Sequence, residues 1–199
     1  EQVREICLDS ELLTAIPAGS ALVVHTTVSP ATMEEIAARA RGVDVVDAPI
    51  SGGPADVAAR RLTLFVGGSA GAVARVRPLL ECYGDPVLHV GPRGAGQKVK
   101  LINNVLFASH IGLLAEAVRL AERLGVPESA LLAALPHGSA DSRVLNLAAA
   151  QGSLSAFALL AGDFVRKDVA AVRDVAKELG GGLGVLDDVI NAIHASDPL

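Results

Sequence analysis

The chain contains no tryptophan, one tyrosine and four phenylalanines, so aromatic residues make up only 3% of its 199 residues. Its formal net charge is -5. Nucleic-acid surfaces rely on basic patches and on aromatic rings that stack against bases, so this composition argues against a nucleic-acid partner. Cysteine is scarce as well. Cys7 and Cys82 are too few for a disulfide framework and lack metal-ligand spacing, which makes a reducing cytoplasm the expected compartment and both thiols core residues. The histidines, His25, His89, His110, His137 and His194, show no metal spacing and no paired cysteine or carboxylate, so no metal site is expected. Long apolar runs are missing too. Residues 101–115 and 144–162 carry no charge, but asparagines, a histidine, glycines, serines and a glutamine interrupt them, so no membrane span is expected. No basic-then-apolar segment opens the chain, and a first residue of glutamate reads as a start inside a longer protein.

What the chain does have is apolar bulk, 51% of its residues against 20% charged, enough to bury a core in one or two compact domains. Residues 2–15 pattern as a helix closed by Pro17-Ala18-Gly19. The run from Ala21 to His25 reads as a buried strand, and Ser29 as the N-cap of a helix over 30–41 with Pro30 at its first position. Further strands are expected over Val43 to Ile50, Leu62 to Val66 and Val87 to Val90, with a helix from Ala70 to Tyr83. This alternation predicts an α/β unit with a largely parallel sheet, a partial Rossmann-type domain over residues 1–94.

Beyond Gly94-Ala95-Gly96 only helical patterns follow, which predicts an all-helical domain over residues 95–199. The first helix runs without proline from Ala95 to about Leu124, ~45 Å at the usual rise. Val99, Ile102, Leu106, Leu113, Ala117, Leu120 and Leu124 are expected to form its buried stripe. Further helices are expected near 128–136, 141–151, 163–179 and 184–195, with glycines between them.

Three places could carry chemistry. Open α/β sheets bind ligands at the carboxyl ends of their strands, where Thr26-Thr27 and Ser51-Gly52-Gly53 fall; both are also compatible with ordinary turns. Lys100 and Asn104, four residues apart on the long helix, project from one face and could serve a substrate oxygen. A lysine near a helix start is equally compatible with a solvated side chain. Lys167-Asp168 most simply makes a helix-surface pair.

These motifs together resemble the β-hydroxyacid dehydrogenase family. Thr26-Thr27-Val28-Ser29-Pro30 is similar to the family's S-T-V-S-P, and Asp47-Ala48-Pro49-Ile50-Ser51-Gly52-Gly53 to its D-A-P-V-S-G-G. Gly94-Ala95-Gly96 with Lys100 and Asn103-Asn104 resembles its G-x-G-x-x-x-K-x-x-N-N, and Lys167-Asp168 its late K-D. The resemblance implies an NAD- or NADP-dependent oxidoreductase interconverting a small 3-hydroxy acid and its semialdehyde. It further implies Lys100 as the acid/base, and Ser51, Gly52, Gly53 and Asn104 around a small carboxylate substrate, with Asp168 lining the same cleft. Thr27 and Lys167 would contact the cofactor, and two copies would pair through the helical part.

The departures are specific. Arg60-Arg61 stands where the family has glycine and threonine, Asp56 replaces a small residue, and Thr26 replaces serine. The family's G-x-G-x-x-G fingerprint is absent, which reads as a chain lacking roughly the first half of the cofactor domain. Two other readings remain open: an imine reductase, which generally carries another residue at the lysine position, and a non-catalytic dimerisation or scaffold module.

Overall fold

The structure, a computed structural model, describes residues 2–192. His194, and the part of the expected last helix beyond residue 192, lie outside them. The chain divides into two compact units, Glu1–Ile102 and Asn103–Leu199. The division falls inside the long helix, eight residues beyond the boundary the glycine turn suggests.

The first unit holds helices α1 (Gln2–Leu8) and α2 (Leu12–Ala15), strand β1 (Ala21–Val24), α3 (Pro30–Arg39), β2 (Asp44–Asp47), β3 (Ile50–Ser51) and α4 (Pro54–Ala58). After them come β4 (Leu62–Gly67), α5 (Ala70–Leu80), β5 (Gly84–Gly91) and the start of α6 (Ala95–Arg123). The helix expected over 2–15 is two. Ser10 ends the first by donating its hydroxyl to Ile6 O, and it starts the second by accepting the Leu12 N–H. The strand expected over 43–50 breaks at Ala48-Pro49, because proline cannot donate to a ladder.

The sheet is mixed rather than largely parallel. β1 pairs parallel with β2 and β4 parallel with β5, whereas both β2 and β3 run antiparallel to β4. The short α4 joins β3 to β4, too little chain for a parallel crossover. Because side chains alternate across a strand, Val45 of β2 enters a core with Leu13, Val24, Met33 and Ile36 on one face. Its neighbour Val46 enters a core with Leu64, Val66, Val73 and Leu80 on the other. Cys7 is buried, and that burial pushes its thiol pKa up. Cys82 is exposed, against expectation, at the end of α5, where its Sγ donates to Pro78 O at 3.3 Å.

The second unit continues α6 and adds α7 (Glu128–Ala134), a 3-10 turn (Leu135–His137), α8 (Arg143–Gln151), α9 (Leu154–Glu178) and α10 (Val185–Asn191). Its core gathers Ile111, Leu114, Leu132, Val144, Leu145 and Phe157. α9 starts nine residues earlier than expected, since Ser153 caps it by accepting the Ala156 N–H at 3.1 Å and Gly162 is carried inside the helix.

The expected buried stripe of α6 is the wrong one. Ile102, Leu106, Leu113, Leu120 and Leu124 are exposed, while Leu101, Val105, Ala108, Ile111 and Ala115 are buried. Both stripes have helical spacing, but the buried one is rich in small residues, and small residues let another backbone come close. A Cβ on Gly112 would stand 2.0 Å from Val189 O of α10.

Candidate active site

The candidate residues of the first unit lie where the sheet's strands end. β1 stops at Val24 and leads through His25, Thr26 and Thr27 into α3, whose N-cap Ser29 accepts the Thr32 N–H at 3.1 Å. His25 braces this exit. Its Nδ1 donates to Ala48 O at 2.7 Å, which leaves Nε2 to accept the Tyr83 hydroxyl at 2.9 Å. Burial pushes the Tyr83 pKa up, so the phenol keeps the proton it donates.

β2 ends at Asp47, and two residues later the chain enters Ile50-Ser51-Gly52-Gly53. Gly52 has φ +148°, a conformation that glycine alone adopts without strain, and a Cβ there would meet Leu62 Cδ2 at 2.9 Å and Asp56 Cβ at 3.0 Å. Ser51 is half-buried and Gly52 exposed. The Gly53 N–H donates to Asp56 Oδ2 at 2.8 Å, so the amide expected to meet a substrate carboxylate already holds an internal one. Arg60 has φ +55°, the one positive φ outside glycine among the described residues, and both Arg60 and Arg61 are exposed.

α6 begins after Gly94, whose φ of +82° makes the turn. Lys100 is half-buried and Lys98 exposed. The helix start is held by a residue that sequence reasoning quoted without assigning it a role. Asp47 is fully buried; its Oδ1 accepts the Gly94 N–H at 2.7 Å and its Oδ2 the Gln97 N–H at 2.9 Å. Gln97, also fully buried, reaches back to the β1 loop, accepting the Val28 N–H and donating to Thr26 O, each at 3.0 Å. The exit of β1, the end of β2 and the start of α6 are thus bonded together, which brings the segments carrying Thr27, Ser51 and Lys100 into one hydrogen-bonded frame. The signal available in the sequence was a charged residue closing the apolar run Val45-Val46 and an amide residue within a glycine turn.

Asn104, Lys167 and Asp168 belong to the second unit. Asn104 is 6% exposed, its Oδ1 accepts from Asn103 Nδ2 at 3.3 Å, and its Nδ2 has no partner among the described residues. A buried donor left unpaired marks a place where a ligand oxygen can be received. On α9 Lys167 is exposed and Asp168 half-buried.

Residues 94–196 match the family model described as NAD-binding of NADP-dependent 3-hydroxyisobutyrate dehydrogenase. The chain belongs to the β-hydroxyacid dehydrogenase family. Residues 1–91 match the NAD binding domain of 6-phosphogluconate dehydrogenase. An NAD-dependent L-serine dehydrogenase of Pseudomonas aeruginosa is 37% identical over 150 residues, 74% of this chain and 50% of the relative. A 3-hydroxyisobutyrate dehydrogenase of the same organism is 35% identical over 150 residues, with the same coverage. The solved structure of Mycobacterium tuberculosis 3-hydroxyisobutyrate dehydrogenase with L-serine matches at TM-score 0.79 and 28% identity, covering 98% of this chain and 71% of that one. The chain spans about half the length of the curated relatives it matches.

Proposed function

We propose that the protein carrying this chain is an NAD- or NADP-dependent oxidoreductase that interconverts a small 3-hydroxy acid and its semialdehyde, with Lys100 as general acid and base. The observation that carries the reading is the buried, unpaired Asn104 Nδ2, four residues beyond Lys100 on α6 in a chain of this family. A lysine ammonium and a carboxamide N–H at that spacing suit one substrate oxygen. A lysine at this position also favours the hydroxyacid reading over an imine reductase.

The residues present fit the nicotinamide end of the cofactor. Thr27 is half-buried at the carboxyl end of β1, between two residues whose backbones Gln97 holds. No G-x-G-x-x-G run for the pyrophosphate occurs in these residues. The chemistry the bound cofactor would supply is acceptance of the hydride from the hydroxyl carbon. Neutral Lys100 Nζ takes the hydroxyl proton as that hydride departs, and returns it in the reverse direction. Asn104 Nδ2 donates to the same oxygen and orients it. Ser51 and the Gly52 amide receive the carboxylate without bulk, and the Gly53 amide joins them when it exchanges Asp56 for the substrate. The family resemblance would assign Lys167 to the cofactor and Asp168 to the substrate.

The test is reduction of NAD or NADP by the full-length protein with a panel of small 3-hydroxy acids, L-serine included, alongside quenching of nicotinamide fluorescence. Absence of both with every pair would leave a non-catalytic module of this family shape. In the active protein, Gly52→Ala is expected to raise the substrate's Michaelis constant about ten-fold, because strain of ~1–3 kcal/mol must distort the turn. An unchanged constant for all carboxylate substrates would remove the turn from the site.

We further propose that a second copy covers the exposed apolar residues of the second unit, Leu106, Leu113 and Leu120 on α6 and Leu159, Leu160 and Phe164 on α9. Light scattering at rising concentration should report a dimer, and a monomer throughout would refute the pairing.

A further inference from the structure

We propose that Asp47 is the positioning residue of this site: its buried carboxylate sets where Lys100 stands relative to the Ser51-Gly52-Gly53 turn. The inference rests on the reading of Lys100 given above.

The first amides of a helix have no acceptor within the helix, and they carry its partial positive charge. Asp47 takes two of them, one on each oxygen, at 2.7 and 2.9 Å. Both of these bonds come from the start of α6, whose partial positive charge suits a carboxylate there. A carboxylate is the right size and has the right chemistry for this. Both oxygens accept, whereas an asparagine would turn an N–H against one of the two amides.

The backbone closes tightly on the carboxylate. A Cβ on Gly67 would stand 2.5 Å from Asp47 Oδ1, and one on Gly96 would stand 2.8 Å from Asp47 Oδ2 and 2.1 Å from Phe65 O. Two glycines therefore let β4 and α6 close around a single side chain. Asp47 is also the last residue of β2, only four residues before Ser51. One side of the carboxylate is thus tied through a few residues to the substrate turn. The other is tied through Gln97 to the first turn of the helix that carries Lys100.

Gln97 extends the same lock to the cofactor side. Its N–H is held by Asp47, and its side chain holds Thr26 O and the Val28 N–H on either side of Thr27. A shift of Asp47 would move three segments of the site together. Small misplacements of reacting groups are costly in rate even when binding survives.

The test uses the full-length protein and two readouts for Asp47→Asn: turnover at saturating substrate and cofactor, and amide hydrogen exchange. Turnover should fall at least ten-fold at a temperature well below unfolding. Exchange at residues 94–101 should quicken at least ten-fold while α3 and α5 stay protected. Asp44→Asn, on the same strand but in an exposed pair with Arg75, should change neither. If Asp47→Asn does not fold, Asp47→Ser leaves space in place of the opposed N–H, and the same two readouts apply. Turnover within two-fold of the parent in a protein that loses activity on Lys100→Ala overturns the role of Asp47 while the reading of Lys100 stands. Exchange quickened evenly across the whole first unit would make Asp47 a stability residue only, and would also overturn the proposal. Retained turnover in Lys100→Ala would instead remove the reading beneath it.

Discussion

Lys100→Ala in the full-length protein is expected to lower turnover by a factor of ~10² to 10⁴, the range for loss of a general acid or base. In the proposed reaction the hydroxyl must shed a proton as its carbon loses hydride. Lys100 is half-buried on α6, on the face that carries the unpaired Asn104 Nδ2. Stability should barely change, because a half-buried lysine adds little to the core and alanine favours helix. Lys98 is the control. It is exposed and lies two residues away on another face, so Lys98→Ala should leave turnover within a few-fold. Equal losses in the two variants, or unfolding of Lys100→Ala, would sink the assignment.

The second large effect concerns stability. Gly96→Ala should destabilise the first unit by about 3 kcal/mol, the upper part of the usual overpacking range. The added Cβ would lie 2.1 Å from Phe65 O, a backbone atom of β4 that cannot rotate away, and 2.8 Å from Asp47 Oδ2. The helix start must then back off from the sheet and stretch both Asp47 bonds. Gly71→Ala is the comparison: nothing lies within 4 Å of its Cβ position, and it sits near the start of α5. That change should be neutral or stabilising by up to ~1 kcal/mol. Urea unfolding reads both as shifts in midpoint at unchanged slope. A Gly96→Ala midpoint equal to the parent's would mean that α6 does not pack on β4 this tightly.

Legibility differed from element to element. The exit of β1 into α3 could be read because its determinants are local: an apolar run, a serine cap and a proline at the first helical position. The length of α6 could be read for the same reason, since nothing between Ala95 and Arg123 interrupts a helix. The buried stripe of α6 could not. Two apolar stripes share the helical period, and hydrophobicity alone favoured the one with more leucine. Packing selected the other, where Ala108, Gly112 and Ala115 admit close contact. The antiparallel pairing of β4 was hidden likewise, because strand direction depends on how β3 returns through α4 and not on strand composition.

The amino-acid sequence by itself determined the α/β then helical order and the turns, since each rests on chemistry within a few neighbouring positions, whereas Thr27, Ser51, Lys100 and Asn104 stood out only through the family resemblance of the motifs around them. Only the tertiary structure decided what holds those motifs in register. Asp47 and Gly94 are 47 residues apart, and a carboxylate becomes a helix anchor only when β2, β4 and α6 close around it and exclude water. Burial and hydrogen-bond geometry across such a separation are properties of the packed chain. No local pattern of residues encodes them.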